Sequence, residues 1–335
     1  MIKYIGSKRK LIAELVSVVS TLPRVETVLD VFSGTARVGS ALRARGYRVT
    51  ANDHNAYAYA LAQCYVAADP DRWGAAASEH IAHFNGLLGA PGYFTRTYCE
   101  EARYFQPKNG ARVDAIREAI SGMGLPAPLE AILLVSLMEA ADRVDSTVGL
   151  QMAYLKQWAP RAYNDLELRL PELVRGPAGA ASMLDALDCA GSGSHDLVYL
   201  DPPYNQHKYL NNYHVWESLV RWDKPEVYGV ARKRVDCRQY DSPFNSRVRI
   251  RAALRELVDR IDARYLVVSF NDEGYVTEEE MVDILRRRGE VDVRRVDFKR
   301  YVGAQIGIYN PSGVKTGKIS HLRNQELIFV VACQG

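Results

Sequence analysis

The sequence predicts an α/β chain built on a doubly wound sheet, with a mainly helical segment inserted into it. Three observations lead there. Short runs rich in Val, Leu and Tyr recur and stop at polar or glycine-containing turns, as strands buried on both faces do. Helical patterns lie between successive runs, and one long stretch lacks the strand pattern altogether.

In chain order, the expected strands are "TVLDVF" (Thr27 to Phe32), "YRVTAND" (Tyr47 to Asp53), "DLVYLD" (Asp196 to Asp201), "RYLVVSF" (Arg264 to Phe270), "EVDVRRVDF" (Glu290 to Phe298) and "ELIFVVA" (Glu326 to Ala332). Helical patterns cover Val38 to Arg45 and Val248 to Ile261. Between Val66 and Gly179 the pieces "DAIREAISGM", "PLEAILLVSLMEAADRV" and "YNDLELRLPELV" read as helices, and "RGPAGAA" (Arg175 to Ala181) reads as a flexible exit. The division expected is a sheet domain of residues 1–65 and 180–335, interrupted by a helical insertion of residues 66–179. The apolar stripe Ile132, Leu133, Leu137 is expected to be core rather than partner surface.

Composition narrows the class. With 335 residues, 47% hydrophobic and 25% charged, the chain has ordinary globular composition and can bury a sizeable core. No apolar stretch approaches the roughly 20 residues of a membrane span, and the basic start "MIKYIGSKRK" has no apolar core behind it. A soluble, cytoplasmic protein without a membrane partner is expected. Cys64, Cys99, Cys189, Cys237 and Cys333 are scattered and never spaced as C-x-x-C, which argues for a reduced compartment and against a metal site. Net charge is only +3, but Arg221 to Arg260 holds eleven Lys and Arg against six Asp and Glu, and a second basic segment runs from Lys299 to Arg323. Such segments are either solvated faces or a surface for a polyanion.

Two strand ends bear on a ligand. "VLDVFSGTARVG" leaves a strand at Asp30, turns through Ser33 and Gly34, and enters a helix, where free N–H groups and a glycine allow close approach. It is not G-x-G-x-x-G, so a dinucleotide pyrophosphate fits poorly. Asp53 ends the next strand, a position suited to ribose hydroxyls. Each acid alone is as readily a cap or turn former; the pair points to a nucleoside-containing cofactor.

The third strand ends in "DPPY", whose chance occurrence in a chain of this length has odds on the order of one in a thousand. Pro202 and Pro203 lack N–H groups and hold the preceding residues extended, so the turn is stiff and the Pro202 carbonyl is free to accept. Asp201 adds an ionised acceptor and Tyr204 a flat face. Two acceptors and an aromatic plate suit a planar ring bearing an exocyclic NH2.

With these residues in place, "KYIGSKRKL" (Lys3 to Leu11), "DVFSG" (Asp30 to Gly34) and "DPPY" (Asp201 to Tyr204) together resemble the amino-methylating DNA methyltransferases that use S-adenosylmethionine. Their order resembles the Dam-like, D12-class adenine-N6 group of the restriction-modification type. The resemblance covers roughly residues 1–65 and 180–335. It implies a Rossmann-like methyltransferase sheet, double-stranded DNA as partner, a cognate restriction endonuclease in the same system, and target recognition in the insertion. It further implies cofactor contacts from Tyr4, Gly6, Ser7, Lys8, Asp30, Phe32, Ser33, Gly34, Asp53 and Asp185, the last near the cofactor's adenine amino group. Val31 stands where Pro is common in the family, and Tyr4 and Ser7 where Trp and Gly are frequent.

For catalysis the resemblance implies Asp201, Pro202, Pro203 and Tyr204, acting on a base flipped out of the duplex by direct transfer without a covalent enzyme intermediate. DNA contacts are expected from Asn205, His207, Lys208, Tyr209, Lys233 and Arg234, and Asn271 is either part of the pocket or a turn former. The residues themselves leave open cytosine N4, adenine in RNA, and a non-catalytic nucleic-acid-binding protein on the same fold. Asp201 favours adenine, because the cytosine-N4 enzymes more often have Ser there.

Overall fold

A computed structural model describes residues 1–6, 8–271, 274–299 and 323–334. Ser7 and most of the basic segment Lys299 to Arg323 lie outside them. The strands are β1 (Thr27–Asp30), β2 (Arg48–Asn52), β3 (Ala180–Ser182), β4 (Ser194–Leu200), β5 (Val227–Tyr228), β6 (Lys233–Arg234), β7 (Asp262–Asn271), β8 (Gly289–Lys299) and β9 (Arg323–Cys333). The chain divides into two compact units, Met1–Ser192 with His207–Asp241, and Gly193–Gln206 with Ser242–Gly335.

In the first unit the strand order is β3-β2-β1, all parallel, with Thr27 beside Arg48 and Thr50 beside Ala180. β5 and β6 form a separate antiparallel ribbon. In the second unit β4 and β7 are parallel, and β7, β9 and β8 follow as antiparallel neighbours. The α/β class with mainly parallel pairing is therefore as the sequence predicts, and all six expected strands are present within a few residues of their expected ends. The helices at Arg37–Arg43 and Ile250–Arg260 match as well.

The helices of segment 66–179 include Pro70–Asn85, Pro107–Gly122 and Ala127–Arg143. Helix Ala127–Arg143 is the centre of this part of the core. Ile132, Leu133 and Leu137 are fully buried, so the stripe is core as expected. One expected helix is absent. "YNDLELRLPELV" runs extended after a short 3-10 turn at Pro160–Tyr163, and Leu166 and Leu168 are buried on alternate positions. Its backbone is bound from outside instead of by itself. Asn109 Oδ1 accepts from Leu166 N at 2.9 Å, Asn85 Oδ1 accepts from Leu168 N at 2.8 Å, and the Ser136 hydroxyl donates to Arg169 O at 2.7 Å. Pro171, which cannot donate within a helix, adds to this. The exit "RGPAGAA" likewise runs into β3. Among the described residues no helix is long and apolar enough to cross a membrane.

Candidate active site

In the first unit the ends of β1 and β2 are tied into one structure. After buried Asp30 the chain turns, with Ser33 N donating to Asn52 O at 2.8 Å and Ala36 N to Ser33 O at 2.7 Å. The turn needs left-handed backbone at Gly34 (φ +51°) and Ala36 (φ 59°) before helix Arg37–Arg43 begins. The Gly34 N–H donates to Asp53 Oδ2 at 3.0 Å, and Asp53 Oδ1 accepts from Asn55 N and Asn55 Nδ2, both at 3.0 Å. The two acids picked out in the sequence thus belong to one scaffold, with the Asp53 carboxylate oriented by the glycine turn. Asn52, which sequence reasoning passed over, fastens β3 to it: its amide donates to Val31 O and Leu184 O, and its Oδ1 accepts from Leu184 N and the Ser182 hydroxyl.

The N-terminal motif packs on this turn through aromatic rings. Tyr4 stacks on Tyr213 with ring centroids 4.5 Å apart and on Tyr209 at 5.3 Å, and its hydroxyl lies 3.3 Å from that of Tyr57. A Cβ at Gly34 would stand 3.5 Å from the Tyr4 hydroxyl. Gly6 has φ +73°, and a Cβ there would come within 2.9 Å of the Tyr209 hydroxyl. Burial, then the phenols of Tyr57 and Tyr209 and the Asp53 carboxylate, pushes Tyr4 well above the usual phenol range, so its hydroxyl stays protonated.

Tyr209, Tyr213 and Glu217 recur every four residues and so share one face across the helices Tyr209–Asn212 and His214–Arg221. Glu217 is buried and accepts from Ala56 N at 3.2 Å and Tyr57 N at 3.1 Å, capping helix Ala56–Ala62 from a distant part of the chain. Burial raises its carboxyl above the ordinary range, against the pull of those two N–H groups. Tyr57, Tyr213 and Glu217 were not singled out in the sequence. The signal available was the four-residue spacing in "YLNNYHVWE".

Lys8 is buried in a short 3-10 turn, and Phe32 is half-buried. Ser33 Oγ is buried with no hydrogen-bond partner among the described residues. Asp185 is exposed and caps helix Ala186–Ala190 by accepting from Leu187 N at 2.9 Å. Of the residues expected to meet DNA, His207 is exposed and Lys208 Nζ donates to Tyr240 O. Lys233 and Arg234 form β6, and they differ. Arg234 is 1% exposed and pairs with Asp223 and Asp236, at 2.7 Å and 2.8 Å. It is an internal anchor, and Lys233 is the member of the pair that solvent reaches.

In the second unit β4 delivers Asp201-Pro202-Pro203-Tyr204 at its carboxyl end. Ser269 on β7 donates to Asp201 Oδ1 at 3.1 Å, and the Tyr199 hydroxyl is 2.7 Å from Ser269 Oγ. With the serine proton on Asp201, Tyr199 donates to the serine, and the carboxylate is oriented by a two-step relay. Pro202 is buried and Pro203 half-buried. Tyr204 meets Phe270 edge-on at 5.8 Å, and its carbonyl accepts from Tyr275 N at 2.9 Å. Beyond it, Asn245 Nδ2 donates to Asn205 O at 2.8 Å and the Tyr275 hydroxyl to Gln206 Oε1 at 2.7 Å. Asn271 is buried and donates to Glu326 Oε1 at 3.2 Å, across its register partner on β9.

The chain is 29% identical over 324 residues to modification methylase StsI of Streptococcus sanguinis, covering 91% of this chain and 49% of that protein. It is 28% identical over 313 residues to type II methyltransferase M.FokI of Planomicrobium okeanokoites, covering 88% of this chain and 48% of that protein. The chain therefore spans about half the length of these two relatives. Against type II methyltransferase M.NlaIII of Neisseria lactamica it is 28% identical over 333 residues, covering 95% of this chain and 98% of that protein. The D12 class N6 adenine-specific DNA methyltransferase family matches residues 4–284, which is most of the chain and includes both strand-end scaffolds and the Asp-Pro-Pro-Tyr turn, and the chain belongs to that family.

Proposed function

We propose that the protein methylates the N6 amino group of adenine at a specific site in double-stranded DNA, using S-adenosylmethionine, as the modification enzyme of a restriction-modification system. The observation that carries this reading is the Asp201 carboxylate, held by Ser269 at the stiff end of β4 in a chain of the D12 class. Asp201 and the Pro202 carbonyl are two acceptors for the two N6 protons of an adenine. Holding both protons favours a more tetrahedral nitrogen, whose lone pair is otherwise delocalised into the ring. Tyr204 supplies the face for the extruded base, a stacking worth about 1–3 kcal/mol against a flipping cost of a few. The contribution of these residues is positioning and electrostatics; no cysteine is needed as nucleophile.

S-adenosylmethionine supplies the electrophilic methyl group when bound. The first unit's residues suit such a group. Ser33 Oγ is a buried polar atom without a partner among the described residues, and Asp53 is a carboxylate oriented by the Gly34 N–H for ribose hydroxyls. Tyr4, Gly6, Ser7, Lys8, Asp30, Phe32, Ser33, Gly34, Asp53 and Asp185 form the proposed cofactor set. Asn205, His207, Lys208, Tyr209 and Lys233 are the proposed DNA contacts. Residues 1–65 and 180–335 then act as the catalytic domain and 66–179 as the target-recognition domain, in a cytoplasmic enzyme whose system includes a cognate endonuclease.

The test is long-read methylation sequencing of DNA from cells expressing the chain. N6-methyladenine at one recurring sequence supports the reading, and an unmodified genome, or N4-methylcytosine alone, refutes it.

A further inference from the structure

Two turns of the first unit share one buried support. Tyr104 is buried, and its hydroxyl lies 2.7 Å from the Gln151 carbonyl and 3.0 Å from the Ala231 carbonyl, joining the turn at Thr147–Met152 to the β5–β6 ribbon. Each turn is also fixed at its own base. In the first, the buried Asp145 carboxylate accepts from Lys3 Nζ and Arg161 Nε, both at 2.8 Å, and from the Thr147 hydroxyl. Gln151 Oε1 accepts from Val215 N at 2.9 Å, and Gln151 N donates to Asn212 O at 2.8 Å. In the ribbon, Arg234 is clamped by Asp223 and Asp236.

What these anchored turns present outward is apolar and basic. Val148 is 70% exposed, Val230 78% and Met152 44%. Lys233 Nζ lies 3.2 Å from Met152 Sδ and has no carboxylate partner among the described residues. Arg232 stands beside it, its Nε 3.5 Å from a Glu101 carboxylate oxygen. Neither "TVGLQMAYLKQW" (Thr147 to Trp158) nor "VYGVARKR" (Val227 to Arg234) contains an acid.

Single exposed valines are ordinary. Here two of them and a methionine stand on stiff turns braced through one tyrosine and edged by cations. Such a surface complements duplex DNA, whose phosphates take Lys and Arg while thymine methyls and base steps take apolar side chains. The geometry points to the two turns as one DNA-reading element, with Lys233 and Arg232 on phosphates and Val148, Met152 and Val230 against base edges. This deepens the proposed function and rests on its choice of DNA as substrate.

The experiment uses the full chain, fluorescent DNA duplexes of random sequence for anisotropy over a salt series, and methylation mapping of the same pool. Lys233→Ala is expected to weaken duplex binding and to lower the slope of log affinity against log salt by about one. The double variant Val148→Ser with Val230→Ser is expected to lose about tenfold in kcat/KM on the preferred site and to flatten the preference among sites. Both variants should keep the wild-type thermal midpoint and cofactor affinity. Variants within about twofold of wild type in binding, salt slope and site preference overturn the inference, as does wild-type binding that is equally tight to an RNA duplex or absent for DNA. If the wild-type chain binds DNA but forms no N6-methyladenine, the proposed activity fails, while the Lys233→Ala salt slope still decides the reading element.

Discussion

Ser269 donates to Asp201 across the β4–β7 pair, so the carboxylate at the end of one strand is aimed by a hydroxyl on its parallel neighbour. Tyr199, whose hydroxyl lies 2.7 Å from Ser269 Oγ, completes the relay. Ser269→Ala keeps the Asp201 carboxylate at the strand end but leaves it loosely aimed. Single-turnover kinetics should show a rate lower by about tenfold to a hundredfold, the scale on which small misplacements act, with cofactor and DNA affinities unchanged. Tyr199→Phe should lose less. Equal rates for Ser269→Ala and wild type would remove Ser269 from the mechanism.

Gly6 is required for two separable reasons, its left-handed backbone and its closeness to the Tyr209 hydroxyl. Gly46→Ala isolates the first, because Gly46 has φ +95° and open space around it. Both variants should lose about 1–2 kcal/mol of stability from the backbone alone. Only Gly6→Ala should also weaken S-adenosylmethionine binding by calorimetry, because Tyr209 is displaced from the Tyr4 stack. Matching cofactor affinities in the two variants would show that Gly6 serves the backbone only.

The parts of the site legible in the sequence are those whose chemistry is local. The Asp30 to Gly34 turn, Asp53 and Asp-Pro-Pro-Tyr each declare themselves within a few residues, and the structure finds each at a strand end or just past it. Contacts made at a distance were not legible. Nothing near Glu217 indicates that it caps helix Ala56–Ala62, and nothing near Asn52 indicates that its side chain joins three strands' ends. "YNDLELRLPELV" has the composition of a helix, but Asn85 and Asn109, far back in the chain, take the backbone bonds that a helix would have made for itself. Lys233 and Arg234 look alike in sequence; only the positions of Asp223 and Asp236 make one an anchor and leave the other in solvent.

Removing that anchor should be costly. Arg234→Ala empties the buried space between Asp223 and Asp236 and leaves them only the half-exposed Arg221, at 3.0 Å and 3.2 Å, and urea unfolding should show a loss of about 3 kcal/mol, the low end of the range measured when one partner of a buried pair is deleted. Lys233→Ala should leave stability unchanged within error. A small loss for Arg234→Ala would mean that the ribbon holds without it.

His214 gives the fold a pH dependence. Its ring is fully buried with Nε2 2.9 Å from the Gln151 carbonyl, and burial lowers its pKa from 6.5 to about 3. Between these values the unfolded chain binds a proton that the native protein refuses, so native stability falls as pH drops from about 6.5 towards 3, by up to about 1.4 kcal/mol per pH unit from this group. The difference in unfolding free energy between wild type and His214→Gln, followed over that window, isolates the effect. A difference that does not change with pH would show that the native ring accepts the proton.

The role proposed for Asp201 is to act on the N6 amino group of adenine. It is tested most directly by nucleoside mass spectrometry of DNA incubated with S-adenosylmethionine and either the wild-type chain or Asp201→Ala. N6-methyladenine is expected from wild type and a rate lower by about a hundredfold or more from Asp201→Ala, with cofactor affinity preserved. N4-methylcytosine as the only product, or undiminished N6-methyladenine from Asp201→Ala, would contradict it.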